Sequence, residues 1–505
     1  MAYHESMYFL VFLPVVLIGY QLAPKQVRFG VLLFFSYCFY FLFSHRLIVY
    51  LLGATTITYL TGRLVATGEK KRRKTILIVG VWLLLGMLLV MKYSGFFAEN
   101  LNALFGTMNF GFRFPVRRFL LPLGISFYTL SAIGYMADVY WKKMEPEKNI
   151  AKLALFLSFF PIIMEGPICM YSDTAETLAK GEDIRSENLI RGYMRIGWGL
   201  LKKVVIADRL YVVVQTLFDG YASYHGVMIV VAAVSYTVQL YMEFSGCMDI
   251  VIGSAECFGV TLPENFAQPF VSKNASEFWR RWHISLGRWF KTYIFYPVSK
   301  LTRKWNRFAK KHTSKYIKLM VASAIALFPV WVCNGLWHGA NWSYLFYGMY
   351  YFVVIMIELM LEPAVKKLCA AWKIAEDAAW WNVLRILKTW VIIFTGELFF
   401  RADTLGIGMH MFRSLFHDFS IQKLWDGTLL TLGLGRVEIG IILVSLLIVG
   451  VVNHFREQQI DVRGVILQKR LPVRWLVYLA LIFVVLIFGA YGPGYQEVDL
   501  IYAGF

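Results

Sequence analysis

Apolar runs of membrane-crossing length recur along almost the whole of this chain, and they leave it few ways to fold. They fall near residues 7–23, 29–43, 47–66, 75–91, 119–140, 151–168, 189–207 and 227–242. More follow near 317–336, 342–361, 381–400, 439–452 and 475–490. A helix needs about 20 apolar residues to cross about 30 Å of hydrocarbon. Of the 505 residues 58% are hydrophobic and only 16% charged, against about 45–50% and 25% in a soluble domain. The sequence therefore predicts an all-α, polytopic membrane protein. Several runs are short or glycine-interrupted, so roughly ten to twelve should cross while the others are re-entrant or interfacial. With no internal repeat, low-complexity tract or soluble segment, residues 1–505 read as one membrane domain.

The net charge of +19 points to lipid rather than to nucleic acid. Its lysines and arginines sit in short connections between apolar runs, at 69–74, at Lys142 and Lys143, and over 300–318. That is the distribution expected of cytoplasmic loops facing anionic head groups, and no aromatic-basic groove or nucleic-acid motif accompanies it. Lys25, Arg28, the 70–74 cluster and Lys142 then lie in the cytoplasm, with the N-terminus outside and five crossings up to Lys142. Residues 1–7 carry no lysine or arginine and no convincing cleavage site follows, so the first run reads as a retained span. The six cysteines lack CxxC spacing and read as buried thiols without a metal site. Cys333 is the one near enough to a candidate centre to be weighed as an acyl carrier, although buried cysteines are usually inert packing.

Two features carry chemistry. His338 lies between the apolar runs 317–336 and 342–361, where an ionisable side chain is costly and so a functional candidate. Imidazole can also take and return a proton near neutral pH. The alternative is a packed histidine bonded to a neighbouring helix. The second feature is 274–296, where Trp279, Trp282, Leu286, Trp289, Phe290 and Tyr293 fall on one stripe at helical spacing. Arg280, Arg281, Arg288 and Lys291 fall away from it, and His283 lies near the boundary. This predicts an interfacial amphipathic helix, whose arginines either anchor it or grip phosphate. Asp138, Asp208, Glu243 and Asp249, set in or beside apolar sequence, are expected to pair with Lys202, Lys203, Arg191, Arg195 or other buried cations and hold helices in register.

A series of motifs runs in order along the chain: PLGISFYT at 122–129, Asp138-Val139-Tyr140, Phe160-Pro161, EGPI at 165–168, GLLKKVVIAD at 199–208 and EFSGCMDI at 243–250. It continues with FWRRWHISL at 278–286, NGLWHGANW at 334–342 and FFRA at 399–402. Together and in order these motifs resemble the membrane-bound O-acyltransferases, in the bacterial branch that includes alginate O-acetylation. The two histidine blocks are the most specific. Glu165 stands where relatives carry alanine and Cys247 where they often carry an aromatic residue, departures that bear on the acceptor more than on the reaction.

The resemblance implies helices around a central funnel or tunnel, and transfer of an acyl group from a thioester to a hydroxyl. His338 matches the catalytic histidine and His283 the second one. It implies cytosolic acetyl-CoA as donor substrate, with no metal and no bound cofactor. It also implies an extracytoplasmic glycan-modifying acetyltransferase or esterase-like partner, and residence in the bacterial cytoplasmic membrane. The residues fit such chemistry independently. A neutral imidazole can remove the hydroxyl proton as oxygen attacks, while Asn334, Trp337, Asn341 and nearby backbone N–H groups are candidates to stabilise the oxyanion. Arg280 and Arg281 are candidates for donor phosphates. Competing readings are a transporter or flippase, against which no inverted repeat is found, and a structural subunit of a polysaccharide complex. The glycan acceptor, and acetyl against D-alanyl, stay open at this level.

Overall fold

The computed structural model describes residues 2–117, 119–308 and 314–491. Residues 309–313 of the basic stretch 300–318 thus lie outside the described residues. Among those described there is no strand, and one isolated antiparallel bridge joins Phe266 and Trp282. The chain runs through α1 (Leu13–Leu22), α2 (Arg28–Ser44), α3 (Ile48–Ala66), α4 (Lys70–Thr107), α5 (Ile125–Tyr140), α6 (Ile150–Ser158), α7 (Phe160–Ile163), α8 (Tyr171–Ala179) and α9 (Ser186–Leu200). It continues with α10 (Asp208–Asp219), α11 (Val227–Cys257), α12 (Ala275–Arg281), α13 (Ile284–Phe290), α14 (Tyr296–Phe308) and α15 (Lys315–His338). Last come α16 (Trp342–Ala371), α17 (Ala379–Arg401), α18 (Leu405–Ser414), α19 (Arg436–Glu457), α20 (Val462–Leu467) and α21 (Leu471–Phe488).

Among the described residues, seven stretches are helical, long and apolar enough to cross a membrane: Lys25–Ala66, Lys70–Thr107, Val227–Cys257, Lys315–His338, Trp342–Ala371, Arg436–Glu457 and Leu471–Phe488. The first bends into α2 and α3 at His45, whose φ of 41° interrupts the helix. Large apolar side chains are exposed along these helices, among them Leu443, Leu447, Leu476 and Ile487. Such a surface is at home only in hydrocarbon. This is a multi-pass, all-α membrane protein.

Two of the apolar runs do not form continuous helices. In 119–140 the helix starts only at Ile125, because Pro122 and Gly124 shape the entry. Gly124 has a φ of 65°, and a methyl there would lie 1.8 Å from the Ile163 carbonyl oxygen. In 151–168 the helix stops at Ser158, restarts briefly as α7 with Pro161 in its first turn, and gives way to non-helical chain around Glu165-Gly166-Pro167. Proline forfeits a backbone donor and clashes with the preceding turn, which accounts for both interruptions.

The described residues form two compact units, each discontinuous in sequence. One comprises 2–199 with Cys247–Pro263. Here α3 packs on α4 and α5, and α2 on α6. Tyr3 bridges remote backbone, donating to the Phe160 carbonyl (2.8 Å) and accepting from the Met164 N–H (3.1 Å). Arg195 and Asp249, both buried, pair at 2.9 Å, and Asp138 pairs with Lys143 at 2.7 Å. The other unit comprises Leu200–Gly246 with 264–491 and contains every residue of the candidate site. Its buried charge centre is Lys203, 2.8 Å from Asp208 and 3.3 Å from Glu243, on the π-helical turn Leu201–Ala207. The expected pairing of acids with buried cations is thus met at Asp208, Glu243 and Asp249, whereas Lys143, the cation paired with Asp138, is exposed.

Candidate active site

The centre is built on the α15–α16 hairpin. Gly335 and Gly348 let the two backbones touch. A methyl at Gly335 would lie 2.4 Å from the Tyr344 carbonyl oxygen, and one at Gly348 would lie 2.3 Å from that of Trp331. Small residues at such a crossing allow close packing where hydrophobic drive between helices is weak. His338 is the last residue of α15. The chain then extends through Gly339 (φ 165°) and restarts at Asn341, whose Oδ1 accepts from the Ser343 N–H at 3.0 Å as the α16 cap.

His338 is only 3% exposed. Its ring is enclosed by other rings: Phe400 at 4.9 Å and perpendicular, Trp337 at 5.1 Å, Tyr347 at 5.9 Å and Tyr344 at 6.3 Å. Helix α17 supplies Phe400 and, one turn earlier, Glu397. That carboxyl is buried, and its Oε1 accepts from the Tyr347 hydroxyl at 2.8 Å. Gly396 makes room for Tyr351, whose hydroxyl would lie 2.6 Å from a methyl at that position.

The stretch 274–296 is not the single amphipathic helix its periodicity predicts. It breaks at Trp282, which is extended, and His283, which is left-handed at φ 47° and ψ 51°. Asn265 holds the break. Its Oδ1 accepts from the Ser285 N–H (3.0 Å) and hydroxyl (2.9 Å) and lies 3.3 Å from His283 Nδ1, while its carbonyl accepts from the Ile284 N–H at 3.0 Å. A left-handed non-glycine residue costs about 1–3 kcal/mol and is characteristic of sites whose surroundings over-determine it. The helical pattern predicted which side chains leave water, but neither the turn between them nor that this face packs inside protein instead of lying on the membrane interface. Trp282, Leu286, Trp289 and Phe290 are buried inside protein, and Arg280, Arg288 and Lys291 are exposed.

His283 is itself buried, and burial pushes its imidazole down to about 3, so the ring is neutral at physiological pH. With Nδ1–H donating to Asn265, the lone pair lies on Nε2. Its ring packs edge-on against Phe244 at 4.8 Å and against Trp337 at 5.3 Å. Trp337 thus touches both imidazoles, and the two histidines predicted from separate motifs meet across one indole.

The other predicted residues divide. Asn334, a turn before His338, is buried, and its Oδ1 has no partner among the described residues. Asn341 is occupied: besides capping α16 it donates through Nδ2 to the Asp403 carbonyl at 2.8 Å. Arg281 is engaged with Glu277 and with both carboxylate oxygens of Glu457, whereas Arg280 is exposed. Cys333 is half-buried, and Cys369 is buried, away from any disulfide. Sequence reasoning missed Tyr347, Glu397, Phe244 and Asn265. Glu397 carried the same signal as His338, an ionisable group inside an apolar run.

Further buried polar atoms without a partner among the described residues cluster on this side of the unit. They are Nε1 of Trp279 and Trp331, the hydroxyls of Tyr351 and Ser343, and Oε2 of Glu397. The rings carrying them are contiguous, with Trp279 5.1 Å from Trp331 and 4.9 Å from Tyr351, and Tyr351 5.0 Å from Tyr347. Buried polar groups are nearly always partnered in folded proteins. A run of them beside a buried histidine is what a binding site for a polar substrate requires.

A polytopic helical protein with such a centre falls among membrane enzymes, and comparison with known proteins narrows the class. The model of the membrane-bound O-acyltransferase family matches residues 147–400. The probable alginate O-acetylase AlgI of Pseudomonas syringae pv. tomato is 31% identical, over 82% of this chain and 75% of its own length. The peptidoglycan O-acetyltransferase of Helicobacter pylori is 27% identical, over 82% and 79%. The teichoic acid D-alanyltransferase of Bacillus subtilis is 29% identical, over 57% and 70%. The chain belongs to the membrane-bound O-acyltransferase family, in its alginate O-acetyltransferase-like branch, and is an O-acyltransferase.

Proposed function

We propose that this enzyme carries an acetyl group from cytosolic acetyl-CoA to a hydroxyl of an extracytoplasmic polysaccharide, or to a partner protein that serves one, in the bacterial cytoplasmic membrane. The partner expected is an extracytoplasmic acetyltransferase or esterase-like protein. The observation that carries the reading is His338, enclosed by Trp337, Tyr344, Tyr347 and Phe400 at the end of α15 and flanked by buried polar atoms of Asn334, Trp331 and Tyr351 that have no partner among the described residues. The names of the relatives support polysaccharide as the acceptor class.

In the reaction, the acceptor oxygen attacks the thioester carbonyl carbon while His338 takes its proton. The C–O bond forms and negative charge moves to the carbonyl oxygen. Collapse of that intermediate breaks the C–S bond, and the imidazolium returns its proton to sulfur, releasing CoA as the thiol and leaving an ester. General-base help of this kind contributes about 10²–10⁴-fold. The last turn of a helix favours positive charge, and His338 lies there, so α15 stabilises the imidazolium as it forms. Asn334 and the Trp337 indole are the side chains we assign to the oxyanion; Asn341, holding the α16 cap and Asp403, is left out. Arg280, exposed on α12, is assigned to donor phosphate and Arg281 to structure. His283 orients the shared indole from its other contact and is the second site histidine.

The test is purified enzyme with radiolabelled acetyl-CoA, following released CoA and acetyl ester, with His338→Ala alongside. Loss of about 10² or more in the variant is expected. Equal rates would remove the histidine from the chemistry, and no turnover by either protein would overturn acetyl-CoA as the donor.

A further inference from the structure

Asn265 is a buried polar residue to which the acyl transfer described above gives no role. It lies on the connection between α11 and α12 at 1% exposure. Residues 265–267 run antiparallel to 281–284. The Ala267 N–H donates to the Arg281 carbonyl at 2.9 Å and the Ile284 N–H to the Asn265 carbonyl at 3.0 Å, with Phe266 and Trp282 bridged between them. His283 is thereby held in its left-handed turn with the Asn265 amide against Nδ1.

That amide can face only one way. The oxygen and nitrogen of an asparagine side chain are told apart by their partners, and the decisive partner is the Ser285 backbone N–H, 3.0 Å from Oδ1. A backbone N–H only donates, so the atom opposite it is the oxygen; a flipped amide would set N–H against N–H. The Ser285 hydroxyl donates to the same oxygen at 2.9 Å. This oxygen also lies 3.3 Å from His283 Nδ1. An amide oxygen cannot donate, so Nδ1 carries the hydrogen. A neutral imidazole has one N–H, and with it on Nδ1 the lone pair is on Nε2.

The identity of the partner matters as much as its orientation. A carboxylate at Nδ1 would favour the imidazolium, whereas an amide oxygen fixes the tautomer without adding negative charge. The ring itself is buried against Phe244 and Trp337. The charged groups on the elements packed here are engaged elsewhere: Glu243 with Lys203, and Arg281 with Glu277 and Glu457. His338 meets the same indole at 5.1 Å. Two imidazoles on one indole invite a proton relay, and the Asn265 contact argues against it, because relay would put an imidazolium at His283.

We infer that Asn265 is a positioning residue: it fixes His283 as the Nδ1–H tautomer, so that the second histidine works as a hydrogen-bond acceptor at Nε2 and leaves the transferred proton to His338 alone. The inference rests on the reading of His338 as general base and divides the labour between the two histidines.

The test uses full-length enzyme in nanodiscs, isotope-labelled at the histidine ring nitrogens for NMR, with CoA release from acetyl-CoA followed on the same samples. His283 is assigned as the signal missing from His283→Asn. Wild type should show it neutral and protonated on Nδ1 throughout pH 5 to 8; an Nε2–H tautomer or an imidazolium in that range overturns the assignment. Asn265→Asp keeps an oxygen for both Ser285 groups and for Nδ1–H, but its charge raises the proton affinity of the ring. Imidazolium should appear at the acid end of the range. The rate relative to wild type should fall with it by about tenfold, the scale of one hydrogen bond, and recover as pH rises, at unchanged KM for acetyl-CoA. A merely structural asparagine predicts a constant ratio, and that result, or a rate that does not follow His283 protonation, overturns the positioning role. His283→Asn keeps the turn and an N–H toward Asn265 but has no Nε2, and it too should lose about tenfold; wild-type turnover there overturns the acceptor role even if Asn265→Asp fails to fold. His338→Ala separates the two levels. If it releases CoA as wild type does, the general-base reading fails, while the spectrum still reports the tautomer that Asn265 sets.

Discussion

Gly335→Ala is a one-carbon perturbation whose consequences can be followed from backbone to rate. The new methyl would lie 2.4 Å from the Tyr344 carbonyl oxygen and 3.2 Å from the Leu345 Cα, where ordinary contact begins at 3.4 Å. Both obstacles are backbone, so no rotamer change relieves them and α15 must part from α16 by about 1 Å. Overpacking of this kind costs about 1–3 kcal/mol, partly offset by the roughly 0.5–1 kcal/mol that alanine gains over glycine in a helix. A net loss of about 1–2 kcal/mol follows. The larger effect is on catalysis. His338 lies three residues further along α15 and Tyr347 lies on α16, so the parting displaces the imidazole from its enclosing rings. A shift of about 1 Å in a reacting group costs on the order of 10²-fold. The control is Gly440→Ala on α19, where a methyl meets nothing within 4 Å; it should be as stable as wild type or more so, with unchanged turnover. The assay is CoA release from acetyl-CoA by protein in nanodiscs, with a thermal melt on the same samples. Wild-type turnover in Gly335→Ala, or an equal loss in Gly440→Ala, would refute the claim that this helix crossing sets the position of His338.

Lys203→Met should lower thermal stability by about 3–5 kcal/mol, because it leaves the buried Asp208 and Glu243 carboxylates without their cation. Adding Asp208→Asn and Glu243→Gln should restore much of that loss in the same melt. At His283 the folded value of about 3 lies below the ordinary 6.5. Below that ordinary value the unfolded chain therefore binds a proton that the folded one refuses, and stability falls as pH drops through the window down to about 3. The slope is about 1.4 kcal/mol per pH unit. His283→Asn, which tolerates the left-handed backbone, should flatten the melt between pH 6.5 and 5, and an unchanged slope would assign the acid sensitivity elsewhere. Arg281→Ala should reduce stability by about 0.2–1 kcal/mol, since its pairs with Glu277 and Glu457 are partly exposed. It should leave the KM for acetyl-CoA alone, whereas Arg280→Ala should raise that KM. The opposite pattern would exchange the two roles.

What could be read from the sequence follows the range over which each physical cause acts. Hydropathy is a local sum, so the apolar helices were legible residue by residue, as was the apolar face of 274–296, though not that protein and not the membrane interface would cover it. The pairing of acids with Lys203 and Arg195 was legible too, because a charge in hydrocarbon must find its opposite. The interruptions at Gly124 and Pro161 left local marks whose consequences were underread. The break at Trp282 and His283 left none in the helical period. It is imposed by Asn265, a residue 18 positions away, and no periodicity within 274–296 can encode it.

The same reasoning explains why the ordered motifs located both histidines while composition alone could not bring them together. Trp337 touches each ring only after α13 and the end of α15 have packed. Glu397 is the instructive omission. It stood two residues before the FFRA motif, inside an apolar run, under the rule that singled out His338. What local sequence lacked was Tyr347 on α16, whose hydroxyl donates to one of its oxygens. That contact, and the closure of Phe400 on the His338 ring, are properties of three helices, α15, α16 and α17, and of no segment by itself.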